Sequence, residues 1–232
     1  PQAEYAALNA HDANNEVFLV LGPWNHGGWN WALRHLGAID FGAATGRQYR
    51  RTIEAPFFEK YLKDRPGFDL KDTASFRTGV DRWERYDVWP PKKGFREAKM
   101  YLTAGGSLSF SAPSGGGVAA EYISDPANPV PYRHRPIQPT YGQGSKWRTW
   151  LVEDQRFVSG RKDLANFSTP VLDHDVTVTG DVMADLFAST TGSDADWVVK
   201  LIDVYPEDAE GEMAGYQLMI ADEIFRGRYV KS

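Results

Sequence analysis

The first quarter of the chain has a hydrophobic pattern that predicts one strand followed by one helix. Residues 16–22 form an almost continuous apolar run, which is typical of a strand covered on both faces of a sheet. In residues 53–63 apolar side chains recur four positions apart, the spacing of one helix face. Pro56 is tolerated near the first turn of this helix, and residues 65–67 (Arg-Pro-Gly) predict its end. With a short helix before the strand, residues 1–66 are predicted to form an α-β-α unit.

From about Asp69 the pattern changes to short runs of alternating or β-branched residues, separated by Gly, Pro and Asp. The candidate strands are 73–79, 98–103, 107–111, 176–180, 181–190, 197–205 and 216–222. The clearest alternation lies in residues 181–188, where every second side chain is apolar and would share one face of a sheet. Many short strands separated by turns predict an antiparallel sandwich or jelly roll. We therefore predict a mostly β chain, with a jelly-roll β-sandwich over residues 67–232.

Composition limits the classes of function. With 42% hydrophobic and 25% charged residues, the 232-residue chain is predicted to be globular. A net charge of −5 and the absence of a dense Lys/Arg run argue against nucleic acid as a partner. No apolar run approaches the roughly 18 residues that cross a membrane, so we expect no membrane association. The chain has no cysteine, which excludes disulfides and thiolate chemistry but leaves the cellular compartment open.

The strongest chemical signal is His26, in a glycine-bounded loop just after the apolar strand. Imidazole titrates near neutral pH and can therefore take up and return a proton within one turnover. The alternative is a loop histidine that hydrogen-bonds to the backbone. The other four histidines occur in polar surroundings, and we expect them at the surface. No histidine pair has the spacing of metal ligands with a carboxylate on the same helix face, so we predict no metal site.

Aromatic residues near His26 and in residues 124–150 are candidates for the wall of a substrate site. Trp24, Trp29 and Trp31 surround His26 in the sequence. Packing of the loop against the jelly roll is the favoured interpretation of these tryptophans, and a hydrophobic wall for an acyl group is the alternative. Residues 124–150 are rich in proline and irregular, which predicts a long loop, and long loops with aromatic side chains are often functional.

Seven passages taken together resemble one enzyme family. They are residues 22–27 (Gly-Pro-Trp-Asn-His-Gly), 78–83 (Thr-Gly-Val-Asp-Arg-Trp), 86–91 (Tyr-Asp-Val-Trp-Pro-Pro), 122–126 (Tyr-Ile-Ser-Asp-Pro), 128–131 (Asn-Pro-Val-Pro), 176–181 (Val-Thr-Val-Thr-Gly-Asp) and 200–206 (Lys-Leu-Ile-Asp-Val-Tyr-Pro). On these passages the chain resembles the cocaine-esterase-like serine hydrolases. That family includes the α-amino acid ester hydrolases, the glutaryl-7-aminocephalosporanic acid acylases and relatives of X-Pro dipeptidyl peptidase, and the ester hydrolase and acylase branch is the most similar.

The resemblance implies a protein of three parts: an α/β-hydrolase domain, a helical cap inserted in it, and a C-terminal jelly roll. Residues 1–66 would be the end of the hydrolase domain, and residues 67–232 most of the jelly roll, with its last strands expected to be missing. By the same resemblance His26 is the catalytic base, and Trp147 is a candidate for the rim of the substrate pocket. The Ser nucleophile, the Asp of the triad and the cap would lie upstream of this chain. The resemblance implies no cofactor.

The function implied is cleavage of an ester or amide through an acyl-enzyme, with α-amino acid esters or β-lactam side-chain acyl groups as substrates. The full-length protein would be a serine hydrolase, and we expect the 232 residues alone to be inactive. The resemblance favours a periplasmic or secreted location. Whether the protein forms a homo-oligomer stays open.

Two alternatives accompany this prediction. Within the family, the alternative is an activity like that of X-Pro dipeptidyl peptidase. Outside it, the alternative is a non-catalytic β-sandwich module used for binding, since a fold does not determine a function. The α/β unit around His26 argues against the binding module, because a free-standing module would expose an unpaired sheet edge there.

Overall fold

Strands predominate over helices in the computed structural model of the chain, which describes residues 1–117 and 119–229. The helices are α1 (Gln2–Asn9), α2 (Thr45–Tyr49) and α3 (Ala55–Lys63), with a π-helical turn at Arg50–Glu54 between the last two. The strands are β1 (Leu19–Leu21), β2 (His35–Leu36), β3 (Ile39–Asp40), β4 (Thr73–Arg77), β5 (Arg82–Tyr86), β6 (Tyr101–Thr103), β7 (Ser107–Ser109), β8 (Asp196–Val204) and β9 (Gln217–Arg226). None of the helices within the described ranges has the length and apolar character that crossing a bilayer requires.

A mixed three-stranded sheet in the order β1-β4-β5 contains the most buried strand of the chain. β1 runs parallel to β4, with Leu19 opposite Thr73, and β5 runs antiparallel to β4. The middle strand β4 is covered on both sides, and its residues Thr73 and Ala74 are each 0% exposed. This sheet joins residues on both sides of position 66, where we place the boundary between two domains. The boundary itself stays a prediction.

The core joins the helical segment to this sheet. Ile53, from the π-helical turn, packs with Leu70 and Ala74 in one buried cluster. Half-buried hydrophobic side chains pack around that cluster: Phe18, Val20, Tyr49, Phe68 and Trp83. Ile53, the first residue of the apolar helix face predicted from the sequence, is therefore part of the core.

The helix predicted over residues 53–63 is confirmed, except that its first turn is π-helical. Pro56 is the second residue of α3 and follows the π-helical turn directly, so its missing N–H falls where the helical hydrogen-bond pattern changes. Phe57 continues the apolar face, with its ring centroid 4.7 Å from that of Tyr61 and 5.4 Å from that of Phe68. The helix ends at Asp64, which adopts the left-handed conformation (φ 52°) just before the predicted stop.

The longest strand pair is the β8–β9 hairpin. Its ladder runs from Asp196 opposite Arg226 to Val204 opposite Gln217, with a bulge after Leu201. It confirms the strands predicted at residues 197–205 and 216–222. The strands predicted at 73–79, 98–103 and 107–111 are also present, as the shorter strands β4, β6 and β7.

The prediction of strands at residues 176–180 and 181–190 is wrong. Residues 176–190 contain no strand, and Met183 and Phe187 are 89% and 103% exposed. Alternation of apolar residues predicts one face of a strand, but a strand also needs a neighbour that completes its backbone hydrogen bonds. No strand of the described residues pairs with this segment. The described ladders also form no closed barrel, and the jelly-roll topology stays a prediction.

A short hairpin, β2–β3, follows the His26 loop and is closed by an ion pair. Arg34 donates from Nε to Asp40 Oδ1 at 2.5 Å and from Nη2 to Asp40 Oδ2 at 2.7 Å. The backbone N–H of Gly42 donates to Asp40 Oδ1 at 2.9 Å. These bonds, the one from Arg34 above all, lower the pKa of the Asp40 carboxyl to about 2.

Replacement of Asp40 by Asn should remove a contribution to stability that depends on pH. Because the pKa of Asp40 lies below its usual value of 3.8, the ionised carboxylate favours the folded state above about pH 4. This contribution is lost as the pH falls through about 2. Denaturant titrations of wild type and Asp40→Asn should therefore give a difference in unfolding free energy that shrinks in this acidic range. A difference that is the same at all pH values would contradict the role of the ion pair.

The core cluster predicts an unequal effect of two substitutions in the same helical segment. Ile53→Ala removes a side chain that is 5% exposed, and we expect it to lower the free energy of unfolding by about 2–5 kcal/mol. Leu62→Ala is the matched control, because Leu62 is 73% exposed and its loss should change stability by no more than about 0.5 kcal/mol. Urea denaturation of both variants measures the difference. Equal losses would show that Ile53 is not part of the core.

Candidate functional site

The end of β1 leads into a tight turn that presents His26 to solvent. Gly27 has a left-handed backbone (φ 78°), which glycine adopts without strain. Gly22 lies against the indole of Trp24, where a Cβ atom would be 2.3 Å from the ring. The side-chain amide of Asn25 donates to the backbone carbonyl of His26 at 3.2 Å. These contacts fix the backbone of the turn and leave the imidazole exposed at its tip.

Trp24 holds this turn against the rest of the fold. Its Nε1 donates to Oγ1 of Thr45 at 2.8 Å, and Thr45 is 1% exposed. The Trp24 ring also packs against Tyr49 and Trp83, with centroid distances of 5.2 and 5.7 Å. The packing interpretation is therefore correct for Trp24, which connects the His26 turn to α2 and β5.

Two tryptophans flank the imidazole of His26. The ring centroid of Trp29 is 5.8 Å from that of His26, and the centroid of Trp147 is 6.2 Å from it, both in edge-to-face geometry. Tyr141 extends this aromatic surface, with its ring 5.9 Å from that of Trp147. The structure thus brings together His26 and Trp147, the two site residues that the family resemblance implied.

An open cleft of about 400 Å³ lies beside the imidazole. Its lining includes Leu21, Trp24, Asn25, His26, Trp29 and Tyr49. Mostly apolar walls with a few polar groups are typical of sites for small organic ligands, and this volume is within the usual range for them. The cleft is therefore large enough for a small apolar group beside the imidazole of His26.

Trp147 reaches His26 because its helical turn packs closely on the β2–β3 hairpin. Trp147 begins a 3₁₀ turn, Trp147–Val152, in which Val152 and Thr149 face Gly37. A Cβ atom at Gly37 would be 2.9 Å from Cγ2 of Val152, so a larger residue there would push the turn away. Gly37 also has a left-handed backbone (φ 58°). Sequence reasoning missed Gly37, since a hairpin glycine gives no signal of its distant partner.

The other candidates lie apart from His26. Trp150 stacks on Arg133, whose guanidinium carbon is 4.2 Å from the ring centroid. Trp31 is 55% exposed. The remaining histidines are exposed, as predicted: His11, His35, His134 and His174. Tyr141 was indicated only as one of the aromatic residues of the loop over residues 124–150, and nothing in the sequence singled it out from the others.

Loss of the hydroxyl at position 45 should loosen the His26 turn. Thr45→Val leaves the Trp24 N–H without its acceptor, and we expect the free energy of unfolding to fall by about 1–3 kcal/mol. Thr52→Val is the matched control, because the Thr52 hydroxyl donates to the carbonyl of Gln48 at an exposed position, where water can replace the bond. Thermal or urea unfolding compares the two. A Thr45→Val protein as stable as Thr52→Val would contradict the importance of this bond.

Comparison with known sequences gives a match to one family over most of the chain. Residues 63–227 match the family described as the X-Pro dipeptidyl-peptidase C-terminal non-catalytic domain. Cocaine esterase from Rhodococcus sp. (strain MB1 Bresler) is 32% identical over 230 residues, which are 93% of this chain and 37% of that protein. Trp147 lies within the residues that match the family, and His26 lies before them.

Two solved structures have a similar fold. The crystal structure of an aminopeptidase from the marine sediment archaeon Thaumarchaeota archaeon gives a TM-score of 0.91 with 44% identity, over 97% of this chain and 37% of that one. A selenomethionine-labelled α-amino acid ester hydrolase gives a TM-score of 0.84 with 41% identity, over 97% of this chain and 38% of that one. The chain therefore spans little more than a third of the length of each of these relatives.

Proposed function

Since this chain belongs to the family of X-Pro dipeptidyl-peptidase C-terminal non-catalytic domains, we propose that it forms the C-terminal part of a serine hydrolase. The similarity to cocaine esterase and to an α-amino acid ester hydrolase confirms the family resemblance that the sequence passages indicated. In this proposal residues 67–232 form a jelly-roll domain, and residues 1–66 are the end of the catalytic α/β domain. The order of β1 followed by α2 and α3 supports the second part, because strands that alternate with helices are typical of α/β domains. The strand that pairs with β1 in parallel, β4, lies beyond residue 66, so this sheet would join the two domains.

The observation that carries the proposal is the position of His26. It lies just beyond the end of a parallel strand, on a rigid turn, beside a cleft of about 400 Å³. Active sites of α/β folds lie at the carboxyl ends of their strands. In the proposed mechanism the imidazole of His26 takes the proton of a serine hydroxyl as its oxygen attacks the carbonyl carbon.

The same imidazole then returns that proton to the leaving group, and the acyl-enzyme forms. In the second half of the reaction it takes a proton from the attacking water and returns it to the serine oxygen as the bond between that oxygen and the acyl group breaks, and the acid product is released. The serine and the aspartate that orients the imidazole would come from the part of the relatives' length that this chain does not span. The 232 residues would therefore supply one of three catalytic groups.

The surface of the chain supports a role within a larger protein. Its accessible area is 17228 Å². A compact monomer of this mass, 26.0 kDa, would expose roughly 10,500 Å² by the usual scaling of area with mass. The excess includes large apolar side chains such as Val171 and Phe187, which are 97% and 103% exposed. Burial of such surface against further protein would be favourable.

For the substrate, we favour an ester or amide with a small or aromatic acyl group, of the α-amino acid ester or β-lactam side-chain type. The aromatic surface of Trp29, Trp147 and Tyr141 supports this, because such rings pack well against an apolar acyl group. Trp147 would then form part of the pocket rim. The similarity to an α-amino acid ester hydrolase also favours this substrate class.

A peptidase activity is the second candidate, and one observation favours it. The aminopeptidase structure has the higher identity and TM-score of the two solved structures described above, 44% and 0.91. Both candidates use the same acyl-enzyme chemistry, so His26 would have the same role in each. Hydrolysis rates on amino acid p-nitrophenyl esters, amino acid p-nitroanilides and X-Pro p-nitroanilides would distinguish them.

His26→Ala should abolish most esterase activity of the longer protein that carries this chain. A general base contributes about 10²–10⁴-fold to the rate. We therefore expect kcat on p-nitrophenyl esters to fall by at least about 10²-fold. His174→Ala is the matched control, because His174 is an exposed histidine hydrogen-bonded to Asp173. If His26→Ala retains wild-type activity while remaining folded, the catalytic assignment is wrong and the non-catalytic binding module becomes the better interpretation. The 232 residues alone should show no saturable turnover.

A further inference from the structure

The segment that carries Trp147 is fastened at its far end to the β8–β9 hairpin. This segment, residues 147–158, consists of the turns Trp147–Val152 and Gln155–Val158. The Lys200 ammonium in β8 donates to Oε1 of Gln155 at 2.7 Å. The Tyr216 hydroxyl donates to the backbone carbonyl of Val152. The backbone N–H of Gln217 in β9 donates to Asp154 Oδ1 at 3.3 Å. Arg156 Nη1 also donates to the carbonyl of Ala214, in the loop of this hairpin, at 3.0 Å. Four bonds with one hairpin therefore hold the base of the segment.

Gln155 is the central member of this attachment. Its side chain is buried, with 3% of its surface exposed. Its amide oxygen accepts from Lys200, and its amide nitrogen donates to the carbonyl of Glu153 at 2.7 Å. Both ends of the amide are thus paired within the protein, which restricts the side chain to one orientation.

Lys200 is held in an equally specific position. Its ammonium also lies 3.3 Å from the carbonyl oxygen of Tyr132 and 4.4 Å from the centroid of the Tyr132 ring. The group is half-buried, and burial lowers the pKa of its ammonium. A half-buried cation is stable only where acceptors and ring faces replace the lost water, so the position of Lys200 restricts that of its partners.

The opposite end of the segment meets the candidate site. Val152 and Thr149 pack on Gly37, and Trp147 flanks the imidazole of His26. Gln155 and Trp147 thus lie at opposite ends of one segment of two short turns. No contact of Gln155 or Lys200 with the cleft is needed for an effect of either residue on the Trp147 ring.

From these contacts we propose that Gln155 and Lys200 are positioning residues, which set the indole of Trp147 against His26. The β8–β9 hairpin, far from the His26 turn in the sequence, would thereby determine the position of the aromatic ring that packs against His26. The consequence for substrate binding rests on the proposed function, whereas the effect on the Trp147–His26 geometry does not.

The Cε1–Hε1 NMR signal of His26 tests this proposal directly. An indole ring at edge-to-face distance shifts the resonance of a neighbouring imidazole through its ring current. In protein labelled with ¹³C at histidine Cε1, the signal that disappears in His26→Ala is that of His26. Trp147→Leu defines the shift produced by loss of the indole.

Gln155→Leu and Lys200→Met should move the His26 signal in the same direction as Trp147→Leu, by a part of that shift, because the other bonds to the hairpin remain. Gln155→Asn is the milder variant in case those proteins fail to fold. Its side chain is shorter by one methylene group, so the amide oxygen lies farther from Lys200. We expect a smaller shift of the same sign. Lys200→Arg, which keeps a cationic donor for Gln155, should leave the signal close to its wild-type position.

Lys162→Met is the matched control, because Lys162 is exposed, and its His26 signal should not move. Near-UV circular dichroism of the aromatic residues reports whether each variant is folded. A His26 signal that stays at the wild-type position in folded Gln155→Asn and Lys200→Met would overturn the proposal. This failure is distinct from that of the proposed function, which would appear as full esterase activity in His26→Ala.

Discussion

The parallel pairing of β1 with β4 is the contact on which the position of His26 depends. β4 is the middle strand of its sheet and is fully buried at Thr73 and Ala74, so it forms the least movable part of the fold. β1 is aligned by this pairing, and the His26 turn begins within two residues of the end of β1. The Trp24 indole then joins the turn to Thr45. An exposed imidazole is thus supported by a backbone that has little freedom to move.

The surroundings of His26 come from three separate parts of the chain. Trp29 follows in the same loop, whereas Trp147 arrives from the long irregular segment and Gly37 from the β2–β3 hairpin. An aromatic pair contributes about 0.5–1.5 kcal/mol beyond the burial of its surface, so contacts of this kind alone hold the Trp147 turn weakly. This explains why polar contacts at the base of the segment are important. Hydrogen bonds to a buried amide restrict its orientation more strongly than ring packing does.

The sequence predicted well those elements whose signal is local. The helix over residues 53–63 and the strands at 197–205 and 216–222 are present, because each carries a periodic pattern and a suitable end. Residues 181–188 have an equally clear alternation but form no strand. The difference lies in pairing: β8 and β9 form a hairpin with each other, whereas no strand of the described residues pairs with residues 181–188. A pattern within one segment cannot specify its partner.

The sequence by itself determined the family, the mostly β character of the chain, and the turn that carries His26. These follow from residues that are close together, such as the glycines at positions 22 and 27, which permit the turn and its contact with Trp24. Only the tertiary structure decided which aromatic ring stands beside the imidazole, and that Gln155 and Lys200 hold the segment that carries it. Those contacts join residues that are distant in the chain, and their distances depend on the packing of several elements at once.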